Sequence, residues 1–176
     1  MKTNVYKKRW LWVLVIVVIA LAGTVIGMLL TQTGLATFTS NAYGVSLKYP
    51  TEWVVDSADD EKGQGEDGFF QLSAMSGEGQ SIDEVAEIIA SHQLKPYGSN
   101  PQITELTLER LKEEEKAKLI MPSTDQGEEW NHQAALIIKY PEAVKIGDDV
   151  YYYFILQGDK EHVEEIGQTV RFTGKP

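Results

Sequence analysis

Cysteine is absent from the 176 residues of this sequence. Without it there can be no disulfide, no lipid-modified N-terminal cysteine and no thiol nucleophile. An exported domain of this chain would therefore depend on its hydrophobic core alone for stability. About 130 residues follow an N-terminal segment and linker, which is enough for one domain with such a core.

Sequence signals of catalysis are also missing. No Gly-x-Ser-x-Gly nucleophile elbow and no His-Glu-x-x-His motif occurs in the chain. Its three histidines, His92, His132 and His162, show no paired spacing, whereas zinc needs three or four converging ligands. We therefore expect a protein that is not an enzyme and has no cofactor, with a hydrolase as the remaining enzymatic alternative.

Basic side chains are scarce beyond residue 30. Residues 31–176 hold 12 of the 16 basic side chains and all 26 acidic ones, a formal charge of −14. A surface with this charge repels nucleic acid and anionic lipid. We therefore predict that the exported part does not bind nucleic acid.

The most informative feature that is present is an uncharged run over residues 11–30. Twenty helical residues are about 30 Å long, which matches the hydrocarbon core of a bilayer. A helix that is apolar on all sides for five turns would have no place in a small soluble domain. The run is therefore predicted to be a transmembrane signal-anchor helix, with the lipid bilayer as its partner.

Positive charge flanks this run on its N-terminal side only. Lys7, Lys8 and Arg9 precede it directly, and the first basic residue after it is Lys48. Basic residues beside a first hydrophobic segment tend to stay in the cytoplasm. The sequence therefore predicts a single-pass cell-membrane protein with a cytoplasmic tail, residues 1–10, and an extracytoplasmic C-terminal domain.

Two tryptophans, Trp10 and Trp12, lie at the inner boundary of the run, where an indole can reach both acyl chains and headgroups. The run is longer than the core of a signal peptide, roughly 7–15 residues, which favours an uncleaved anchor. Gly34-Leu35-Ala36 nevertheless has the small residues that signal peptidase accepts. Cleavage near Ala36 stays open.

The segment 31–41 is rich in Thr, Ser and Gly and is predicted to be a flexible linker before a domain that spans 42–174. The domain opens with alternating apolar residues from Val45 to Tyr49, which are typical of a half-buried strand. Further strands are predicted near Trp53–Val55 and over Phe69–Met75. The acidic, glycine-rich stretch 56–68 between them is predicted to be a loop.

A capping box, Ser81-Ile82-Asp83-Glu84, begins a predicted helix whose apolar stripe comprises Ile82, Val85, Ile88 and Ile89. Four strand-like segments follow at 102–108, 115–121, 133–140 and 150–157. The third contains the continuous apolar run 134–138, which favours a central strand covered on both faces. A last helix is predicted over 159–170, with Asp159 as its cap.

This order of elements indicates the α+β class. Consecutive strands with short connections favour a largely antiparallel sheet of six or seven strands, with helices laid over its apolar faces. With the transmembrane helix in front, the predicted architecture is an anchored α/β/α sandwich.

The segment YGVSLKYPTEW at 43–53 and the closing TVRF at 169–172, together with this order, resemble the PsbP-like fold. That family includes a lumenal extrinsic subunit of photosystem II, a Ran-binding nuclear import factor, and bacterial secreted or anchored forms. The resemblance covers about residues 38–174. It implies an α/β/α domain that binds other proteins and is not an enzyme. It assigns no functional residue, because the shared Tyr49, Pro50 and Trp53 are structural positions.

One acidic segment offers a weak candidate for a calcium site. Carboxylate oxygens are the ligands that calcium prefers, although the spacing here is not that of an EF-hand. A solvated loop would explain the same acids. The candidate ligands are Asp56, Asp59, Asp60, Glu66 and Asp67.

Two functions follow from these observations. The first is a non-catalytic, membrane-anchored extracytoplasmic domain that binds an unidentified protein or cell-envelope component. The alternative is a small-ligand or calcium-binding module that uses the acidic 56–67 loop. Trp130 lies in a polar segment and is either a core residue or an exposed contact.

Overall fold

The computed structural model describes residues 34–56, 61–92, 95–108 and 116–173. The chain divides into two units, Met1–Leu35 and Ala36–Pro176, and the account below concerns the second. The predicted transmembrane run and its flanking residues lie outside the described ranges. Those flanking residues are Lys7, Lys8, Arg9, Trp10 and Trp12. Within those ranges, no helix has the length and apolar character needed to cross a membrane.

The described ranges contain ten strands and two helices. In chain order they are β1 Leu35–Ser40, β2 Val45–Pro50, β3 Val54–Asp56, β4 Lys62–Gln64, β5 Phe69–Met75, α1 Ile82–Ala90, β6 Gln102–Leu106, β7 Ala117–Met121, β8 Gln133–Ile146, β9 Asp149–Asp159, α2 Val163–Gln168 and β10 Arg171–Phe172.

Seven of these strands form one antiparallel sheet in the order β3-β4-β5-β9-β8-β7-β6. The two helices pack on opposite faces of this sheet. Each face has its own cluster of buried side chains, one that includes α1 and one that includes α2. The predicted α+β class and antiparallel sheet are confirmed. A second sheet, β1-β2-β10, packs on the α2 side and was not expected.

The two long strands β8 and β9 carry the core. The run 134–138 on β8 is fully buried, and its side chains alternate between the two clusters, as expected for a central strand. β8 is 14 residues long and pairs from end to end with the 11 residues of β9, with an irregularity between Lys139 and Val144. Its ends therefore lie about 30 Å apart. One end is preceded by the segment 129–132, and the other leads into the turn Gly147-Asp148, after which Asp149 begins β9.

Two short strands replace expected loops. Residues Leu35–Ser40, placed in the flexible linker by composition, form β1, where Phe38 packs 5.7 Å from the ring of Phe70. β4 lies within the loop expected for 56–68. Its sequence, Lys-Gly-Gln, has no apolar side chain, and it is held by backbone pairing with β3 and β5. The periodicity of apolar residues therefore cannot predict this strand.

The capping box of α1 is present as predicted, with Glu84 N 3.2 Å from Ser81 Oγ. The prediction that Ile88 belongs to the buried apolar stripe of α1 is wrong, because this residue is 45% exposed. The helix instead approaches the sheet through small side chains, Ala86 and Ala90, beside Val85. A helix that packs closely through alanines rotates its buried arc toward them, which leaves Ile88 outside it.

The last helix is shorter than expected and begins four residues later, at Val163. Asp159 does not cap it. Its carboxylate instead accepts a hydrogen bond from the backbone N of Glu161 at 2.8 Å, in the turn that precedes the helix. His162 occupies the N-cap position without a side-chain capping bond. Phe172, on β10 after the helix, packs against Tyr140 at 5.2 Å between ring centroids.

Candidate functional site

The loop 65–68 encloses the indole of Trp53, which is 3% exposed. Gly65 and Gly68 pass so close to the ring that a Cβ at Gly68 would lie 2.9 Å from Cζ2 of Trp53. Asp67 accepts a hydrogen bond from the indole N–H at 2.7 Å. This bond lowers the pKa of the Asp67 carboxyl below its ordinary value. Asp67 is therefore engaged in holding the loop over Trp53.

His162 lies between two carboxylates beside the same indole. Its Nε2 is 3.5 Å from Asp67 Oδ2, and its Nδ1 is 3.8 Å from Asp159 Oδ1. The two nitrogens point in different directions, so these carboxylates do not converge on one point. A metal ion needs such convergence.

The remaining calcium candidates are spread out. Asp56 ends β3 opposite Lys62, and Glu66 is exposed in the loop over Trp53. Asp59 and Asp60 lie outside the described residues. Among the residues that the structure describes, no group of three His, Cys, Asp or Glu side chains could hold a metal ion. The calcium site stays a prediction that depends on Asp59 and Asp60.

A second polar cluster joins the segments 95–100 and 122–126. The hydroxyls of Ser99 and Ser123 both donate to the carboxylate of Asp125. Ser123 N also donates to Tyr97 O at 2.9 Å. Tyr97 is 1% exposed, and burial raises its pKa to about 12. The buried tyrosine and the exposed carboxylate thus fix these two segments against each other.

Asp125 should make the stability of the protein depend on acid pH. Hydrogen bonds from Ser123 and Ser99 lower its pKa to about 2, against about 3.9 in an unfolded chain. A carboxyl with a lowered pKa stabilises the fold above the unfolded value, and this contribution is lost as pH falls toward the folded value. Between pH 4 and pH 2 we expect the wild type to lose stability relative to Asp125→Asn.

The measurement is the urea midpoint of the full chain in detergent micelles across this pH range. Subtracting the Asp125→Asn curve cancels the titration of the other acids. In a Ser99→Ala, Ser123→Ala background, the difference in urea midpoint between Asp125 and Asp125→Asn should depend much less on pH, because the hydrogen-bond donors to the carboxylate are absent. Parallel curves for the wild type and Asp125→Asn would contradict this account.

A shallow cavity of about 510 Å³ lies beside this cluster, between the end of α1 and the segment 95–101. Its walls mix both charges with polar groups, from Glu87, Lys95, Ser91, Ser99 and Asn100. It is open to solvent and has few apolar surfaces, unlike a typical small-molecule pocket.

Among the residues that the structure describes, the largest exposed aromatic side chain is that of Trp130, which is 48% exposed. Of the two alternatives left by the sequence, core residue or exposed contact, the structure excludes the first, because the side chain is exposed. Its indole N–H donates to Glu129 Oε1 at 3.0 Å. Asp125, Glu128 and Glu129 are exposed on the same segment. We call residues 125–130 the Trp130 loop.

The Trp130 loop is anchored at several points. Gln126 Nε2 donates to Lys95 O at 3.0 Å and to Pro96 O at 2.5 Å. Lys160 Nζ donates to Asn131 O at 3.0 Å, just beyond the loop. These bonds restrain the loop, which reduces the conformational entropy that it loses when a partner binds.

The three histidines do not come together. His92 follows α1, His132 packs edge-on against Phe69 at 6.0 Å, and His162 lies beside Trp53. Sequence analysis missed the grouping of Trp53, Asp67 and His162, because its members come from distant segments. The glycines on both sides of Asp67 were the only local sign of a close approach.

The described fold defines the class of protein as α+β, with one antiparallel sheet covered on both faces. No protein-family model and no curated protein sequence matches the chain. A similar solved structure is that of cyanobacterial PsbP from Synechocystis sp. PCC 6803, with 10% identity and a TM-score of 0.40. The match covers 79% of this chain and 92% of that protein. A likeness of this degree carries no argument about sites or partners.

Proposed function

We propose that this chain is a non-catalytic, membrane-anchored domain that faces away from the cytoplasm and binds a protein or cell-envelope component through the Trp130 loop. Residues 11–30 would hold it in the bilayer, with Lys7, Lys8 and Arg9 on the cytoplasmic side.

The exposure of Trp130 is the observation that carries this proposal. The indole is almost half exposed although the segment around it is anchored. Tryptophan is enriched at the energetic centres of protein interfaces, because it buries a large area and loses few rotamers. A fixed, exposed indole is therefore best explained by a partner that covers it.

The experiment is a crosslinking pulldown of the full chain from intact membranes, with the wild type, Trp130→Ala and Ile88→Ala. Ile88 is a matched control, because it is also about half exposed but lies on α1. We expect a crosslinked partner with the wild type and with Ile88→Ala, and at least a fivefold loss with Trp130→Ala.

Two results would contradict the proposal. Equal recovery of the partner with Trp130→Ala would remove the Trp130 loop from the contact. Crosslinking only to reagents and proteins on the cytoplasmic side would reverse the predicted orientation. The thermal midpoint of each variant serves as the folding control, and truncation of an exposed side chain should leave it nearly unchanged.

A further inference from the structure

We propose that the group bound by the Trp130 loop is a cationic side chain, lysine or arginine, on a basic segment of the partner protein. This inference rests on the proposed function and adds the chemistry of the partner to it.

The indole of Trp130 is 48% exposed and its N–H is already bonded, so a cation would be bound by a ring face. Glu129 Oε1 accepts the indole N–H at 3.0 Å, so the polar edge of the ring is already occupied. The faces of an indole carry negative electrostatic potential and attract ammonium and guanidinium groups. A cation on a ring face would leave the bond between the indole N–H and Glu129 intact.

Carboxylates beside the indole point to the same ligand. Glu128 and Glu129 are both exposed on the Trp130 loop. In the described part of the chain, ion pairs join Lys116 and Lys118 to other acids, and none reaches Glu128 or Glu129. A cation on the indole face could therefore also contact a carboxylate, as in a bidentate arginine contact.

The charge around the loop is mainly negative. One cation lies beside it, since Lys160 Nζ donates to the backbone O of Asn131 at 3.0 Å, next to Trp130. Residues 31–176 as a whole carry a formal charge of −14. Asp125, Glu128 and Glu129 outnumber this lysine at the loop, so the local charge repels anionic groups and favours approach of a basic segment.

The test measures binding of fluorescein-labelled hexa-arginine, hexa-lysine and hexa-glutamate to the full chain in phosphatidylcholine nanodiscs. These lipids carry no net charge, so they do not compete for the basic peptides. The variants are Trp130→Ala and the pair Glu128→Gln with Glu129→Gln. The matched control is Asp148→Asn with Asp149→Asn, which removes the same charge at the opposite end of β8.

We expect the arginine peptide to bind most tightly and the glutamate peptide not to bind. Trp130→Ala and the double glutamine variant should each weaken binding about tenfold, and the control pair less than twofold. Equal weakening by the control pair, or no effect of Trp130→Ala, would show general charge attraction and overturn the inference.

The two proposals fail in different ways. Loss of the pulldown partner in Trp130→Ala without peptide binding would keep the proposed function and exclude a cationic ligand. Binding of the arginine peptide at Trp130, with an unchanged pulldown, would keep the chemistry of the site and exclude its role in recruiting the partner.

Discussion

Replacing Trp53 by alanine should lower the free energy of unfolding by about 3–5 kcal/mol. The indole is 3% exposed and stacks on Phe70 at 6.3 Å, with His162 edge-on at 5.2 Å. Its removal leaves a cavity beneath the loop 65–68, whose glycines have no side chains to fill it. The loss of ring contacts and of burial should therefore dominate.

Trp53→Phe separates the ring from its hydrogen bond. Phenylalanine keeps most of the apolar contact but cannot donate to Asp67, whose side chain is exposed enough to be hydrated. We expect a cost of about 1–2 kcal/mol. Urea unfolding of the full chain in micelles, followed by far-UV circular dichroism, measures both. A loss below about 1 kcal/mol for Trp53→Ala, well under the usual cost of a buried aromatic, would mean that the loop does not depend on this residue.

Leu136→Ala should cost about 2–5 kcal/mol, because Leu136 is fully buried in the apolar run of β8. Its Cδ2 lies directly under Gly167 of α2, so that a Cβ at Gly167 would overlap it. Gly167→Ala alone should therefore destabilise by about 1–3 kcal/mol through overpacking, although alanine favours helix.

The double variant should be more stable than the sum of the single changes predicts. The methyl group that Gly167→Ala adds would occupy space vacated by the Leu136 side chain, and residues in direct contact are generally non-additive. In the Leu136→Ala background we expect Gly167→Ala to be neutral or stabilising. Urea unfolding of the wild type, the two single variants and the double variant gives the four free energies of unfolding that this comparison needs. Additive effects would show that α2 shifts away from the sheet instead.

Much of the fold could be predicted, because its signals are local. The capping box at Ser81 depends on residues three positions apart, and β5 was expected at the bounds it has. The buried run on β8 marked a central strand. β1 and β4 could not be predicted. Both are held by pairing with other strands, β1 lies in a segment with the composition of a linker, and β4 has no apolar side chain.

Less of the candidate site could be predicted. The sequence indicated that Trp130 could be a contact residue but left open whether it was buried. It also placed Asp67 among the candidate calcium ligands, whereas the structure shows its side chain hydrogen-bonded to Trp53. Neither result follows from neighbouring residues. Each depends on which distant segments pack beside the residue.

The sequence by itself determined the absence of disulfides, the acidic charge beyond residue 30 and most strands and helices. These properties depend on composition or on near neighbours along the chain. Only the tertiary structure decided which face of α1 is buried, that Asp67 and His162 meet at Trp53, and that Trp130 is exposed. Such contacts are set by the register of the whole sheet, to which every strand contributes, and no single segment encodes it.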